Sequence, residues 1–252
     1  MKTPAEMFDL TGKVAVITGG SRGIAEGLAM AGADVVIASR KLDGCVTAAN
    51  EITAATGRRA LPVACHVGNW DDCDRLVDTV YSEFGRCDVL INNAGMSPTY
   101  DGLPSVTQEL YDKVHAVNAR GPFRLSVGFG SRMAAADGGS IINVTTAGTL
   151  RPGDYDLPYC MAKAGLNALT LGLAGAWAPK VRANLVLPGA YDSDITQTWT
   201  PEMRAQAAAM NPMKRIGHPD DMAAVCVFLA SDAAAYINGA QILADGGLFR
   251  TL

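Results

Sequence analysis

The sequence has no cluster of basic residues and no apolar run long enough to cross a bilayer. Lys and Arg number 21 against 25 Asp and Glu, and charged residues make up only 18% of the 252-residue chain. Nucleic-acid and anionic membrane surfaces require clustered positive charge, so neither is predicted as a partner. The longest apolar runs, such as 222–230, are far shorter than a membrane span.

The sequence also lacks closely spaced cysteines and a secretory signal. Its six cysteines form no CxxC pair, and the first ten residues have no apolar core. Metal sites and redox motifs need short, regular spacings, so no metal site is predicted. Reduced thiols in a cytoplasmic protein are the expectation. The cysteines are Cys45, Cys65, Cys73, Cys87, Cys160 and Cys226.

What the chain does contain is a regular alternation of short apolar segments and helical segments. Hydrophobic residues make up 49% of the chain, enough for a large buried core. Continuous apolar strands that alternate with helices indicate an α/β fold with a doubly wound parallel sheet and helices on both faces. Predicted strands cover 14–17, 34–38, 60–64, 89–91, 140–144, 182–187 and 240–243. Predicted helices cover 24–31, 45–56, 70–84, 107–132 with a break at Gly121-Pro122, 158–178 and 219–229.

No linker or change in composition divides the chain, so 1–252 is predicted to be a single domain. Residues 191–213 are polar and rich in methionine, and we expect them to form a mobile helical flap over the substrate. In a parallel sheet of this kind, ligands bind beyond the carboxyl ends of the strands.

A glycine-rich turn, 18–23, joins the first predicted strand to the first predicted helix. Glycines allow the backbone to approach a phosphate, and free N–H groups at a helix start favour an anion. The spacing is TGxxxG rather than GxGxxG, and by itself it is equally consistent with a tight loop.

Unusual side chains follow the other predicted strands, where they would share the edge of the sheet with this turn. They are Arg40, His66, Asn92, Thr146 and Pro188. Because the carboxyl ends of parallel strands meet at one edge, this clustering predicts an active site there.

Tyr159 and Lys163 are four residues apart at the start of a predicted helix, which places them on one helical face. A nearby ammonium group lowers the pKa of a phenol, so the pair is a candidate general acid/base. Thr146, thirteen residues earlier, could direct its hydroxyl at the same substrate oxygen. The alternative is an amphipathic helix with a half-buried tyrosine and a surface lysine.

Taken together, these motifs resemble the short-chain dehydrogenase/reductase family over nearly the whole chain. Within this family, the chain resembles the 3-oxoacyl carrier-protein reductases and the glucose and alcohol dehydrogenases. The resemblance implies a Rossmann-type fold, a nicotinamide cofactor and interconversion of carbonyls and alcohols. The matching elements are Thr18-Gly19, Gly23-Ile24, Asn92-Asn93-Ala94-Gly95, Asn118, Tyr159 with Lys163, Pro188-Gly189 and Asp245-Gly246-Gly247.

The resemblance also implies roles for single residues. Tyr159 would give its proton to the carbonyl, Lys163 would hold the nicotinamide ribose, and Asn118 would anchor a relay water through its helix backbone. Thr146 completes the implied catalytic set. The implied cofactor-binding residues are Gly19, Ser21, Arg22, Gly23, Ile24, Ser39, Arg40, His66, Val67, Asn92, Ala94, Gly95, Tyr159, Lys163, Pro188, Gly189 and Ile195.

The chain departs from the family pattern at three places. Thr146 replaces a serine, and its extra methyl group narrows the pocket. His66 replaces an aspartate that accepts a hydrogen bond from the adenine amino group, and the alternative is a buried structural histidine. After Ile24 the pattern lacks four residues, about one helical turn. Either the protein lacks this turn, which would draw the helix start away from the sheet, or four residues are missing from the sequence.

Charge near the adenosine ribose bears on the choice of cofactor. Ser39-Arg40 stands where a carboxylate would select NAD, and Arg22 lies in the glycine turn. Guanidinium groups there favour the phosphate of NADP(H) over NAD(H), unless they are only solvated surface residues.

The expected partner is a small carbonyl or alcohol substrate. The resemblance further suggests a homotetramer that packs through 107–132 and 158–178. Two alternatives remain open, an NAD-linked alcohol or sugar dehydrogenase and a non-catalytic ligand-binding member of the same fold.

Overall fold

A parallel sheet of seven strands runs through the molecule in the computed structural model, which describes residues 1–19, 23–193 and 196–249. The strand order is β3-β2-β1-β4-β5-β6-β7. The chain therefore reverses its direction of travel between β1 and β4, which is where such sheets bind ligands. The strands are β1 Val14–Thr18, β2 Asp34–Ser39, β3 Ala60–Ala64, β4 Val89–Asn92, β5 Gly139–Val144, β6 Val181–Pro188 and β7 Gln241–Ala244.

Helices cover both faces of this sheet, as the alternating pattern predicted. Along β1, Val14 and Val16 belong to one apolar cluster, while Ala15 and Ile17 belong to the other. Successive residues of a strand face opposite sides, so the sheet divides the core into two clusters. The helices are α1 Pro4–Phe8, α2 Ile24–Met30, α3 Leu42–Thr56, α4 Trp70–Phe84, α5 Gln108–His115, α6 Gly121–Ala135, α7 Leu157–Ala176, α8 Pro201–Met210 and α9 Pro219–Ala230.

The expected break at Gly121-Pro122 was wrong in its position. A π-helical turn, Ala116–Arg120, separates α5 from α6, and α6 begins at Gly121 with a proline in its first turn. Proline is tolerated there because its missing N–H is not needed in the first turn of a helix. Gly121 allows α6 to approach the loop after β3, since a Cβ on it would lie 2.1 Å from the Val67 carbonyl oxygen.

Helix α1 was not predicted, although its sequence carries a start signal. Thr3 and Glu6 form a reciprocal capping box around a proline at the first helical position. Within the predicted flap, α8 is preceded by Thr200, whose side chain accepts a hydrogen bond from Met203 N–H.

The short helix α2 stays in the core. It has seven residues, and Ile24, Ala25 and Leu28 are all buried. Gly23 packs against Pro219 at the start of α9, where a Cβ would lie 2.6 Å from the proline Cβ, and Gly27 packs against Ala223. Contacts with α9 and burial in the core hold the described part of this helix in place.

All six cysteines are buried as free thiols. Among the described residues, no group of His, Cys, Asp and Glu could hold a metal ion. No helix in the described part of the chain is both long enough and apolar enough to cross a membrane.

Candidate active site

The ends of β1 and β4 are joined by hydrogen bonds at the edge of the sheet. The Thr18 hydroxyl oxygen accepts hydrogen bonds from the N–H groups of Asn93 and Ala94, each at 3.2 Å. Gly19 adopts φ +74°, and a Cβ on it would lie 2.4 Å from the Ala94 Cα. The two loops that follow these strands therefore touch through their backbones, and only glycine fits at residue 19.

Lys163 lies inside the protein, at the face of α7 that is turned to β5. Its side chain is 2% exposed, and its Nζ donates a hydrogen bond of 2.8 Å to the Val144 carbonyl oxygen. Tyr159 lies one turn earlier, half-buried, with its ring centroid 5.8 Å from Lys163 Nζ. The two side chains share a helical face as predicted, but Lys163 is not on the surface.

Burial reverses the expected electrostatics of this pair. It lowers the pKa of Lys163 to about 7, so that the lysine is only partly charged near neutral pH. Burial also raises the pKa of Tyr159, with smaller contributions from Cys160 and Asp156 that the Thr146 hydroxyl partly offsets. The predicted lowering of the tyrosine pKa is therefore not produced by the described residues alone, because a desolvated lysine favours its neutral form.

Thr146 is held by its own loop and, through Thr149, by α7. Its hydroxyl oxygen accepts a hydrogen bond of 3.1 Å from Gly148 N–H. Its carbonyl oxygen accepts one of 2.8 Å from the Thr149 hydroxyl, which in turn accepts one of 3.2 Å from Asn167 Nδ2. Asn167 was not predicted from the sequence, and its nearness to Tyr159 and Lys163 in the chain was the one signal available.

Asn118 lies in the π-helical turn with its side chain hydrogen-bonded to the protein. Its Oδ1 accepts a hydrogen bond of 3.2 Å from Met96 N–H, and its Nδ2 donates to the carbonyl oxygens of Met96 and Val114. Both polar atoms of the side-chain amide are therefore engaged with the protein, and Oδ1 can accept one further hydrogen bond. Turns of π-helix are frequent at functional sites.

Gly95 leaves space beside Lys163 and Asn118. A Cβ on this glycine would lie 3.2 Å from Asn118 Oδ1 and 3.6 Å from Lys163 Nζ. Lys163 has one hydrogen-bond acceptor among the described residues, the Val144 carbonyl, and its amine can donate more than one bond. The buried Lys163 amine, beside the space that Gly95 leaves because it has no side chain, can bind the hydroxyl groups of a ribose.

The Asp245-Gly246-Gly247 motif supports the end of β6 and the flap. A Cβ on Gly189 would lie 2.9 Å from the Asp245 Cβ, so the two loops are in contact. The Asp245 carboxylate accepts hydrogen bonds from the N–H groups of Gly247 and Phe249, at 2.8 and 2.7 Å. Asn211, which was not predicted, ties the end of α8 to the Asp245 carbonyl oxygen at 2.8 Å.

At the predicted adenosine end, Ser39 and Arg40 end β2 as expected. Arg40 is exposed, while the Ser39 hydroxyl contacts the Lys41 carbonyl oxygen and Cys45 Sγ. Val67 is buried, and its carbonyl oxygen accepts a bond from the Cys73 thiol.

The predicted acceptor role of His66 needs correction. His66 is exposed, and its Nδ1 accepts a hydrogen bond of 3.1 Å from Gly68 N–H. A neutral imidazole has one acceptor nitrogen, so its Nε2 carries the proton and can only donate. His66 can therefore serve an acceptor nitrogen of adenine but not its amino group.

Two other predicted cofactor residues can contribute only through the backbone. The Asn92 side chain is buried, and its Nδ2 donates to Ser126 Oγ and Asn143 Oδ1, at 3.0 and 2.8 Å. The Ile24 side chain packs in the core. Ser21, Arg22 and Ile195 lie outside the described residues.

The fold and the residues at this edge of the sheet define a dinucleotide-binding α/β oxidoreductase. A family model described as enoyl-(acyl carrier protein) reductase matches residues 15–249. The chain belongs to the short-chain dehydrogenase/reductase family, whose fold binds a nicotinamide cofactor, and is an oxidoreductase that acts on CH–OH groups.

Similar proteins act on sugars and related compounds. The chain is 38% identical to a 2-dehydro-3-deoxy-D-gluconate 5-dehydrogenase of Pseudoalteromonas atlantica, over 96% of this chain and 98% of that protein. It is also 38% identical to an L-rhamnose 1-dehydrogenase (NAD(P)(+)) of Azotobacter vinelandii, over 96% and 99%. The solved structure of L-sorbose reductase from Gluconobacter frateurii, complexed with NADPH and L-sorbose, matches with a TM-score of 0.90 and 30% identity, covering 98% and 100%.

Proposed function

We propose that this protein is an NADP(H)-dependent oxidoreductase that interconverts a ketone or aldehyde and an alcohol on a sugar or polyol. The observation that carries the proposal is the buried Lys163 amine beside Tyr159 on α7, with the Thr146 hydroxyl facing the same place. The sugar and polyol substrates of the similar proteins support the substrate class.

In this proposal Tyr159 holds the proton that moves to or from the substrate oxygen. Tyr159 is protonated near neutral pH, as a general acid requires in the reductive direction, while the burial that raises its pKa also makes it a weaker acid. Thr146 shares the substrate oxygen through its hydroxyl, and Lys163 donates to the ribose hydroxyl groups in the space beside Gly95. When bound, the nicotinamide supplies or accepts the hydride. Asn118 holds a relay water at its backbone.

The proposed preference for NADP(H) depends on charge at the end of β2. No carboxylate stands at Ser39, and the exposed Arg40 side chain can bind a 2′-phosphate. L-sorbose reductase was solved with NADPH, which supports this choice. The rhamnose dehydrogenase carries NAD(P)(+) in its name, so an NAD-linked sugar dehydrogenase is the second candidate.

The test compares the wild-type protein with Tyr159→Phe on a panel of ketones, with NADPH and NADH as separate cofactors. We expect the wild type to reduce the ketones faster with NADPH than with NADH. We expect Tyr159→Phe to lose at least about 100-fold in kcat. The Kd for NADPH, measured by fluorescence, should stay within about threefold, because the phenol hydroxyl is not its main anchor. Unchanged turnover in the variant overturns the assignment of Tyr159.

We also propose a cytoplasmic homotetramer. A groove of about 640 Å³ lies on the outer side of α5–α7, with Phe123, Gly165 and Leu169 in its lining. Gly165, Gly172 and Gly175 of α7 are exposed, and a Cβ on any of them would meet nothing within 4 Å. These glycines permit close approach by a second copy.

Light scattering should give four times the monomer mass for the wild type, and Gly172→Arg should lower the measured mass. A monomeric wild type contradicts the proposal.

A further inference from the structure

Asp156 precedes α7 at its N-cap position but does not cap the helix. Aspartate at this position ordinarily accepts hydrogen bonds from the first N–H groups of the helix. Here the Asp156 side chain makes no such bond, and the Tyr100 hydroxyl oxygen accepts the Leu157 N–H at 3.0 Å instead. Tyr100 also donates its own proton to the Asp154 carbonyl oxygen. A residue of a distant loop therefore satisfies the helix start and leaves the Asp156 carboxyl group available.

The carboxyl group of Asp156 lies with the groups proposed for catalysis. Asp156 directly precedes α7 and lies three residues before Tyr159, which shares one face of α7 with Lys163. A Cβ placed on Gly148 would lie 3.4 Å from Thr146 Oγ1 and 3.7 Å from Asp156 Oδ2. The Thr146 hydroxyl and the Asp156 carboxyl group therefore border the same small region beside the tyrosine.

This carboxyl group has no charged partner among the described residues. Asp156 Oδ1 is buried without a hydrogen-bond donor, although a buried acceptor normally has one. Arg204 and Arg215, the arginines of the flap and the segment after it, are already paired with Asp192 and Asp221. Burial also raises the pKa of Asp156, although hydrogen bonds from the Cys160 thiol and from the N–H groups of Gly153 and Asp156 itself offset part of the rise.

We propose that Asp156 accepts a hydrogen bond from a second hydroxyl group of the substrate and thereby selects neutral polyhydroxylated ketones over sugar acids. The proposal is built on the oxidoreductase function above. A hydroxyl supplies the donor that the buried oxygen lacks, whereas a substrate carboxylate offers no proton and is repelled by the like charge. Asp156 is a specificity residue, because the proton of the reacting oxygen remains with Tyr159.

The test measures kcat and KM with NADPH for three ketones: L-sorbose, which is neutral and polyhydroxylated, 5-keto-D-gluconate, which is anionic, and 2-pentanone, which has no hydroxyl group. We expect wild-type kcat/KM to be higher for L-sorbose than for the keto acid. Asp156→Asn keeps the shape and a good capping residue but removes the charge. It should raise the KM for L-sorbose about tenfold, because a hydrogen bond to a charged acceptor becomes a weaker bond to a neutral amide oxygen, with kcat nearly unchanged.

The same variant should leave kcat/KM for 2-pentanone within about threefold and improve it for 5-keto-D-gluconate. Asp156→Leu, which removes the acceptor altogether, should raise the KM for L-sorbose further. Cys160→Ala is the matched control, because the Cys160 thiol contacts the Asp156 carboxyl group. If Asp156 acted only through this contact, Asp156→Asn and Cys160→Ala would show the same KM for L-sorbose. NADPH affinity and near-ultraviolet circular dichroism verify that each variant is folded.

Equal effects of Asp156→Asn on L-sorbose and 2-pentanone overturn the assignment of Asp156 while the oxidoreductase function stands. The assignment of Asp156 is also overturned if the wild type prefers 5-keto-D-gluconate and Arg151→Ala abolishes that preference. Substrate recognition would then belong to Arg151, an exposed cation of the same loop. Failure of the wild type to reduce any of the three ketones counts against the proposed function itself, and the inference falls with it.

Discussion

The two ends of the predicted cofactor site are built very differently. At the nicotinamide end, Lys163 and Asn118 are buried, hydrogen-bonded and surrounded by elements from β4, β5 and α7. At the pyrophosphate end, a helix of only seven residues follows β1, and its first residues are packed into the core and against α9. The nicotinamide end consists of buried, hydrogen-bonded side chains, whereas the described part of the pyrophosphate end is a short helix whose side chains pack inside the protein.

This difference separates two requirements of an oxidoreductase, the transfer of a proton and the affinity for the cofactor. Proton transfer needs a few groups in fixed positions, and the contacts around α7 fix them. Affinity for the dinucleotide accumulates along its whole length, so it can fall when one contact region is shortened. We therefore expect a chemically competent protein whose limiting property is cofactor affinity.

Lys163→Met removes the central group of the nicotinamide end. We expect kcat/KM to fall about 100-fold or more, because the ribose anchor and the charge beside Tyr159 are both lost. The thermal stability of the variant should increase, although its activity falls. The folded-state pKa of about 7 lies below the ordinary value of 10.5, so charging the buried amine destabilises the wild type at low pH.

The Tm of Lys163→Met should therefore exceed that of the wild type by several degrees at pH 6, and the gap should narrow as the pH rises from about 7 toward 10. Thermal unfolding across this pH range measures it. Lys113→Met, at an exposed position, is the control and should show no such trend. A gap that is independent of pH would contradict a charged, desolvated lysine.

Arg40→Asp tests the adenosine end. The ratio of kcat/KM with NADPH to that with NADH should fall about 10- to 100-fold, because a carboxylate binds the 2′-hydroxyl group and repels a 2′-phosphate. Steady-state kinetics with both cofactors give the ratio. Arg75→Asp, an exposed site on α4, should leave it unchanged. If both cofactors weaken equally, Arg40 does not select the phosphate.

Lengthening α2 would sharpen the comparison directly. Inserting Gly-Ala-Ala-Ala after Ile24 adds about one turn, or roughly 6 Å, to the helix. We expect NADPH to bind about tenfold more tightly while kcat changes little, as followed by fluorescence titration. The same insertion between Gly57 and Arg58, where Gly57 has open space, is the control. Unchanged affinity would show that the short helix does not limit binding.

Thr149→Val is the smallest of the expected effects. It removes the hydroxyl group between the Thr146 carbonyl oxygen and Asn167 while preserving the shape of the side chain. We expect kcat to fall about threefold to tenfold with an unchanged Kd for NADPH, because only the position of Thr146 is disturbed. Thr149→Ser should restore kcat; if it does not, the hydroxyl group is not the cause.

The sheet could be predicted because most strands are short, largely apolar runs bounded by residues that end them. The predicted β3 and α4 have the observed bounds, and Gly57 and Gly85 end α3 and α4 in the left-handed conformation. Other features depend on partners far away in the chain. Tyr100 at the start of α7 and Asn211 on Asp245 join residues between 34 and 57 positions apart, so no local pattern indicates them.

The charge states at the site show the same limit. The spacing of Tyr159 and Lys163 predicted their common face, but the direction of each pKa shift depends on burial by β5 and the loop after it. Likewise the role of His66 as a donor follows from its bond to Gly68, a detail of loop conformation. Tertiary structure decides these properties.

The burial of all six thiols shields them from labelling reagents in the folded protein. Burial raises the pKa of both Cys160 and Cys226 to about 12, which suppresses the thiolate that alkylating dyes attack. A single cysteine introduced on the exposed face of α8, for example Met203→Cys, would then carry a fluorophore that reports flap movement. The flap could then be followed in solution once Cys73 is replaced, because its hydrogen bond with Cys65 lowers the pKa of the Cys73 thiol.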